Sequence, residues 1–370
     1  MKPTLRKYLE FGALCALAAL LFWWFGRKLD WEQVKMAVSQ SDPYLLGLAV
    51  LIISLAYVFR AYRWGALLAP LAPTNLSHLF AATTVGFGAV FLAGRMGEVV
   101  RPVVLPMRDP RVRPSASFVT IMVERIYDLM AVVILFAANL LWIRPTGNLG
   151  SEFSRVRIAG LVLLAIAMAS VVCLIWFRRR SKDVVGWLDK RLDRRQFIPE
   201  RVKRAVIRIL EQLAMALRVL VDSRELAVTI GWTAAVWFGI TLANLLVLRA
   251  FGLPFGISET VFVLGWSLVG SLVPTPGGAA GAFHAATAAG LVFLGVMPEK
   301  AAAVSIVIHL VDFGPAVIFG FFYFVRGDVN LSRLRSLTSP EAVEHAVEDE
   351  SITPDEVAIE PHFETARSTE

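Results

Sequence analysis

The stretch Val273-Pro-Thr-Pro-Gly-Gly-Ala-Ala-Gly-Ala-Phe-His284 decides the fold, because it interrupts a run of residues apolar enough to lie in a membrane. Its two prolines and three glycines exclude a single straight helix. Backbone that is broken at membrane depth is tolerated only where protein buries it or where it lines a cavity. A second apolar run is broken in the first half of the chain, between Gly86 and Arg101. One broken segment in each half is typical of transporters and indicates a binding site.

Composition indicates a polytopic, all-α integral membrane protein. The chain has 370 residues, of which 56% are hydrophobic, and its mean hydropathy is +0.63. A membrane-spanning helix needs about 20 apolar residues, and strand-like alternation is absent from the sequence. Two long apolar runs, 78–107 and 257–298, are interrupted by glycine or proline. The uninterrupted runs predict six full spans at 9–25, 44–69, 115–142, 156–177, 226–249 and 299–325.

Basic loops predict how these spans are oriented. The net charge is +7, and basic residues are concentrated at the N-terminus, in the 108–113 loop and in the 178–225 loop. The excess of Lys and Arg in cytoplasmic loops places all three inside the cell. Both interrupted runs then have to enter and leave on one side, as re-entrant hairpins. Span, broken hairpin and span would occur at 44–142 and again, facing the opposite way, at 226–325. This is the inverted repeat of secondary transporters; the alternative is that both interrupted runs are ordinary spans.

The last residues differ in composition from the rest. Segment 327–370 is acidic and contains few large apolar residues, which predicts a disordered cytoplasmic tail. The sequence therefore predicts two regions, a transmembrane domain over 1–326, including the basic cytoplasmic loop 178–225, and the tail 327–370.

Ionisable residues inside the apolar runs are candidates for a functional site, because each costs about 3 kcal/mol on insertion scales. Arg60 and Arg63 lie three positions apart, on one face of a helix. They can reach the headgroups by snorkelling or bind a lipid headgroup. The other charges are Arg95, Glu98, Arg101, Glu124, Arg125 and Asp128.

The spacing of these charges suggests mutual neutralisation. Glu98 can reach Arg101, and Arg125 can reach Asp128, in each case three positions along a helix. A purely structural network and a network that holds phosphate or couples a proton both fit this pattern. Arginine favours phosphate, because its planar fork makes bidentate contacts with anionic oxygens.

Histidines and glycines mark the second half. His309 and Asp312 are three positions apart in the last span, where they could relay protons or join helices by a hydrogen bond. His284 follows the break and could face the same cavity. The predicted contributors from the break itself are Pro276, Gly277 and Gly278. The histidines are too scattered for a metal site, so the sequence predicts no bound metal.

Four motifs, in this order, resemble the signature of the lysylphosphatidylglycerol synthase transmembrane-region family, also called flippase-like membrane proteins. They are Arg60-Ala-Tyr-Arg-Trp64, Gly97-Glu-Val-Val-Arg101, Glu124-Arg-Ile-Tyr-Asp128 and Pro274-Thr-Pro-Gly-Gly278. The resemblance covers residues 5–326. Many members continue after Pro-Gly-Gly with a glycine and an acidic residue, whereas this chain has Ala279-Ala280-Gly281. A carboxylate at that position is therefore not expected here; His284 could take its place or could have no part in the site.

The resemblance implies a multi-pass protein of the prokaryotic inner membrane, with both termini cytoplasmic, that handles lipids or lipid-linked precursors. Larger members add a soluble aminoacyl-transferase domain. This sequence offers only a loop and a tail outside its apolar runs, so lysyl transfer is not implied.

The leading hypothesis is transport or flipping of an anionic phospholipid or a polyprenyl-phosphate-linked precursor. The alternatives are an integral-membrane enzyme acting on lipid phosphates and an accessory subunit of a lipid-linked glycosylation system. No nucleophile adjoins the arginines and no Gly-x-x-x-x-Gly-Lys-Ser/Thr loop occurs, so neither catalytic residues nor a cofactor are predicted. The expected partners are membrane lipids, with a second copy or a membrane glycosyltransferase as further possibilities. Nucleic acid is not expected, because a cytoplasmic loop accounts for the basic charge.

Overall fold

The structure is a computed structural model that describes residues 29–69, 71–142, 223–273 and 275–326, together with single positions between 20 and 191. No strand occurs in these ranges, and the predicted all-helical fold is confirmed for them. The predictions for runs 9–25 and 156–177, for the 178–225 loop and for the tail 327–370 lie outside the described residues, apart from single positions and the first turn of the helix at 223.

Nine helices of eight residues or more are described. Those in the first half are α1 Trp31–Ser39, α2 Pro43–Leu68, α3 Leu76–Ala93, α4 Val100–Arg108 and α5 Pro114–Trp142. Those in the second half are α6 Ser223–Ala250, α7 Ile257–Gly270, α8 Ala282–Phe293 and α9 Pro298–Val325. A six-residue 3₁₀ helix, Gly94–Val99, joins α3 to α4. The short turn Pro276–Ala279 lies between α7 and α8.

Three of the described helices are long and apolar enough to cross a membrane: Pro43–Leu68, Leu226–Ala250 and Pro298–Val325. The start of the first is fixed by sequence, because the Asp42 side chain accepts backbone hydrogen bonds from Tyr44 and Leu45, and proline at the first position already has a helical φ angle. Helix α5 has 29 residues, and it carries the charged residues Glu124, Arg125 and Asp128.

The first broken segment folds into a helical hairpin. A Cβ atom on Gly97 would lie 2.3 Å from the backbone of Ala89, and one on Gly86 would lie 2.6 Å from the Cβ of Arg101. Residue numbers therefore rise on one arm as they fall on the other, which is antiparallel packing. Only glycine permits so close an approach at these two positions.

Asp109 joins the base of this first hairpin to the segment before it. Thr74, which precedes α3, donates a hydrogen bond to the Asp109 carboxylate, and the Arg111 guanidinium makes two further contacts with it at 2.8 Å. The bond from Arg111 holds the pKa of Asp109 well below its usual range. The side chain of Asp109 is buried, so these partners replace the water that it loses.

The second broken segment is also a hairpin. Ser267 on α7 and Thr287 on α8 share a hydrogen bond of 2.8 Å. A Cβ on Gly270 would lie 2.6 Å from the carbonyl oxygen of Ala282, and one on Gly290 would lie 2.8 Å from the Trp266 ring. These pairs again run in opposite directions along the two arms. Within the described residues, a long helix, a helical hairpin and a second long helix thus occur at 43–142 and again at 223–325.

The two halves pack against each other through small residues. Gly88 on α3 approaches the backbone of Ala316 on α9, and Gly320 on α9 approaches the backbone of Thr84 on α3. Gly239 on α6 faces Ala56 on α2. Small side chains let helix backbones come together in membranes, where dispersion contacts drive association.

Candidate functional site

A cavity of about 540 Å³ lies among α2, α3, α5, α6, α7, α8 and α9. Most of its wall is apolar and includes Ile53, Val132, Phe136, Leu264 and Leu268. Its charged lining consists of Arg60, Arg125, Asp128 and Asp312. A mostly apolar hollow with a few convergent polar groups is the usual form of a small-molecule site.

A buried network of ion pairs supports this wall. Arg63 on α2 is fully buried and binds Asp128 on α5 through Nη1–Oδ1 at 2.6 Å and Nη2–Oδ2 at 3.0 Å. Arg63 Nη2 also lies 3.0 Å from Glu124 Oε1. The indole nitrogen of Trp237 donates to Asp128 at 3.3 Å. Asp128 is thus held by α2 and α6 at the edge of the cavity.

Arg101 completes the network from the first hairpin. It forms a bidentate pair with Glu124 at 2.6 and 2.9 Å, and its guanidinium carbon lies 4.2 Å from the centre of the Trp64 ring. Trp64 is itself fixed, because its indole nitrogen donates to Thr120 at 3.0 Å. The hairpin is therefore tied to α2 and α5 by charge and by cation–π contact.

Arg60 differs from Arg63, although one turn of helix separates them. No carboxylate lies within 4.0 Å of the Arg60 guanidinium among the described residues. Its contacts are aromatic, with the Phe87 ring centre at 4.8 Å and the Tyr57 ring centre at 5.8 Å. The side chain faces the cavity, so its positive charge is available to an anion there.

The predicted pairing of Arg125 with Asp128 is wrong. Arg125 lies 4.0 Å from Glu124 and its side chain is 35% exposed. The Asp128 carboxylate is bound instead by the Arg63 guanidinium. The spacing rule identified a reachable neighbour, but a fully buried guanidinium on another helix satisfies the carboxylate better. Arg125 consequently faces the cavity as a second loosely paired cation.

The predicted pairing of Glu98 with Arg101 is also wrong. Glu98 lies in the 3₁₀ helix and is only partly buried, and Arg101 uses both terminal nitrogens on Glu124. Glu124 is fully buried on another helix and needs a cation more than the partly exposed Glu98 does. Glu98 does not line the cavity. The side chain of Arg95 lies outside the described residues.

The Pro-Gly-Gly turn is held by a chain of hydrogen bonds. Gly277 and Gly278 have φ values of 76° and 62°, a region that glycine adopts without strain. The Gly278 carbonyl can only accept, so the 3.2 Å contact assigns the proton of His309 to Nε2. His309 Nδ1 then accepts from His284 Nε2 at 3.1 Å, and His284 Nδ1 accepts from the Gly281 N–H at 3.5 Å.

The predicted pairing of His309 with Asp312 is therefore wrong. His309 points to the turn, while Asp312 lines the cavity and accepts a hydrogen bond from Asn244 Nδ2 at 3.3 Å. The Asp312 backbone carbonyl accepts from Tyr57 at 2.9 Å. The expectation that His284 shares the cavity is not met either, because neither His284 nor its partner His309 is among the lining residues. The side chain of Pro276 lies outside the described residues.

Sequence reasoning missed several contributors. Thr120, Trp237 and Asn244 bind network residues from other helices, and no spacing along one helix reveals such partners. Asn244 carried a signal, since an amide within an apolar span needs a partner. Within the described ranges no three His, Cys, Asp or Glu side chains are arranged to hold a metal ion.

Comparison with known proteins supports the resemblance noted in the sequence. A UPF0104 membrane protein from Methanothermobacter thermautotrophicus is 23% identical over 291 residues, which cover 76% of this chain and 85% of that protein. The family model described as the lysylphosphatidylglycerol synthase TM region matches residues 13–320. That match includes both hairpins, the buried ion pairs and the cavity. The chain is therefore a membrane protein of the lysylphosphatidylglycerol synthase transmembrane-region family, a family related to lipid modification or transport.

Proposed function

We propose that this protein translocates an anionic phospholipid or a lipid-linked phosphate precursor across the cytoplasmic membrane. The cavity is the observation that carries the proposal. It combines an extensive apolar wall with two arginines, Arg60 and Arg125, that have no tight carboxylate partner among the described residues. A lipid has the same division between an anionic headgroup and apolar chains.

The charges divide into positioning and binding groups. Arg63 and Arg101 are each bidentate with a carboxylate, so their forks are occupied. Arg60 and Arg125 both lie near the Phe87 ring, with guanidinium carbons at 4.8 and 5.8 Å from its centre. A phosphate between them would accept from two guanidinium groups without displacing a buried ion pair.

The lengths of the hairpin arms support a re-entrant arrangement. Helices α3, α7, α8 and α4 have 18, 14, 12 and 9 residues, which correspond to about 27, 21, 18 and 14 Å. The hydrocarbon core is about 30 Å thick. Helices α4, α7 and α8 are too short to cross it, although α3 nearly matches it. Each hairpin therefore has at least one short arm, which suits hairpins that enter from opposite sides and meet near the midplane, as in an inverted repeat. Both termini would then be cytoplasmic.

The proposal is tested in proteoliposomes with fluorescent phosphatidylglycerol and, in parallel, fluorescent phosphatidylcholine. The native protein should translocate phosphatidylglycerol faster than phosphatidylcholine. Arg60→Gln combined with Arg125→Gln should slow that movement at least tenfold, because a lost charge-assisted contact costs about 1.5–3 kcal/mol. Arg249→Gln is the control, since Arg249 is exposed near the end of α6 and does not line the cavity.

Two outcomes would contradict the proposal. Equal rates for the native protein and the double variant would show that the cavity arginines do not bind the headgroup. Release of inorganic phosphate from a polyprenyl diphosphate, with no lipid movement, would identify an enzyme acting on lipid phosphates instead.

A further inference from the structure

Asp312 is a cavity carboxylate whose only described side-chain partner is neutral. Its hydrogen bond comes from Asn244 Nδ2 at 3.3 Å, and no Lys, Arg or His nitrogen among the described residues lies within 4.0 Å of it. Its neighbour across the wall is Tyr57, which donates to the Asp312 backbone carbonyl rather than to the carboxylate. The ionisation state of Asp312 therefore depends on cations that line the same cavity but make no direct contact with its carboxylate.

Arg60 is the corresponding cation. It lies one turn after Tyr57 on α2 and lines the same cavity as Asp312. Its guanidinium carbon lies 4.8 Å from the centre of the Phe87 ring, and no carboxylate within the described ranges pairs with it. In contrast, Arg63 forms a bidentate ion pair with Asp128, and Arg101 forms one with Glu124. Among the described residues, an arginine and a carboxylate that each lack an ion-pair partner thus face the same cavity.

We propose that Asp312 is a proton-binding site coupled to the lipid headgroup, and that the headgroup phosphate and the Asp312 carboxylate compete for the field of Arg60. The proposal rests on the proposed function. When a phosphate engages Arg60, the positive charge that favours ionised Asp312 is cancelled. A carboxylate in a largely apolar wall then favours its neutral form, so it takes one proton from water. Departure of the lipid restores the field, and the proton leaves.

Apart from Arg125, which is only loosely paired, the other ionisable groups around this cavity already have close partners. From α5, Asp128 is bound by Arg63, and Arg125 stands nearest to Glu124. From α2, the Tyr57 hydroxyl donates a hydrogen bond to the backbone carbonyl of Asp312. His309, on the same helix as Asp312, and His284 on α8 are joined to each other at the Pro-Gly-Gly turn.

Helices α3, α6, α7 and α8 add only uncharged side chains to the cavity lining. They contribute Phe87, Trp237, Ile240, Leu264, Ser267 and Phe283, among others. Asp312 is therefore the lining carboxylate that is left to respond when an anion arrives.

The test measures binding of short-chain phosphatidylglycerol to the purified protein between pH 5.5 and 8.5. The phosphodiester keeps one charge over this range, so a pH dependence reports the protein. The native protein should bind about tenfold more weakly at the high end, because ionised Asp312 opposes the phosphate. Asp312→Asn should keep the low-pH affinity throughout. Glu299→Gln, in the first turn of α9 and outside the cavity, should behave like the native protein.

A second measurement needs no variant. In weakly buffered solution, the native protein should take up protons from the solution when phosphatidylglycerol is added. The uptake should be a measurable fraction of a proton, up to one, per bound lipid. Binding without proton uptake, or the same pH dependence in Asp312→Asn, overturns the coupling while leaving lipid binding intact. Failure of the native protein to bind phosphatidylglycerol at any pH would instead overturn the proposed function.

Discussion

Arg63 binds Asp128 with both terminal guanidinium nitrogens, at 2.6 and 3.0 Å, although 65 positions separate the two residues. Arg63 is fully buried, and the Asp128 side chain is only 11% exposed. The pair joins α2 to α5 beside the cavity, and Glu124 extends it to Arg101 on the first hairpin. The same network therefore holds the helices together and shapes the wall that faces the cavity.

Removal of Arg63 should destabilise the protein strongly. Arg63→Ala leaves Asp128 and Glu124 with one guanidinium fewer in a buried site, at a cost of about 3–5 kcal/mol. Thermal unfolding in detergent should show a clear fall in Tm. Arg249→Ala, which removes an exposed arginine, should leave the Tm unchanged. An unaltered Tm for Arg63→Ala would mean that water replaces the guanidinium and that the cluster is open.

Arg125 should matter more for binding than for stability. Its side chain is 35% exposed and lies 4.0 Å from Glu124, a distance at which an ion pair contributes little. Arg125→Gln should change the free energy of unfolding by less than about 1 kcal/mol and weaken binding of phosphatidylglycerol severalfold. Native mass spectrometry together with thermal unfolding measures both quantities. A large loss of stability with unchanged lipid binding would reverse these roles.

The Pro-Gly-Gly turn should not tolerate a side chain at Gly278. A Cβ atom there would lie 2.9 Å from His309 Nε2, so Gly278→Ala would disturb the bond that closes the histidine chain. Gly252→Ala is a matched control, because Gly252 has φ of 66° and open space around it. Both variants place alanine at a positive φ angle, so both carry the same kind of backbone strain. If membrane yields are equal, a greater loss of lipid translocation in Gly278→Ala measures the loss of the contact between Gly278 and His309. Equal behaviour would reduce the turn to a structural corner.

The base of the first hairpin should weaken in acid. Arg111 and Thr74 lower the pKa of Asp109 in the folded protein, so the stabilisation is present above the unfolded value of about 4 and is lost as the pH falls through the lower folded pKa. Asp109→Asn should cost about 1–3 kcal/mol at pH 7. Its difference in Tm from the native protein should shrink below about pH 4. Glu32→Gln, at an exposed position of α1, should show no such difference at pH 7.

Topology is open to a labelling experiment. In a protein whose natural Cys15 and Cys173 have been replaced, single cysteines at the exposed positions Pro110 and Pro254 should react from opposite sides of intact cells or oriented vesicles. Pro110 follows the first hairpin and Pro254 precedes the second. Labelling of both from the cytoplasmic side would contradict the inverted repeat, whereas labelling of Pro254 from outside alone would agree with it.

The elements of the fold could be predicted from sequence because length and hydropathy are local properties. The runs 44–69, 226–249 and 299–325 correspond closely to α2, α6 and α9. The two breaks were also recognisable, since glycine and proline interrupt helices wherever they occur. The antiparallel packing of each hairpin rests on glycines at its contacts, such as Gly86 and Gly97.

The partners within the site could not be predicted in the same way. Arg63, Arg101, Glu124 and Asp128 were recognised as candidates, yet each binds a residue on another helix. Spacing of three or four positions describes contacts within one helix only. Which charges meet across helices is decided by tertiary packing, and the bonds that His309 forms with His284 and Gly278 follow the same rule.

The distance in sequence between Arg63 and its carboxylates has a consequence for biosynthesis. Asp128 follows Arg63 by 65 positions, so at about 5–20 residues per second the ribosome needs roughly 3–13 s to supply it. During that interval α2 carries a guanidinium with no counter-charge, which costs at most about 3 kcal/mol on insertion scales, the value for the centre of a helix. We therefore expect nascent α2 to remain beside the translocon until α5 emerges, so that the two helices enter the lipid as a pair.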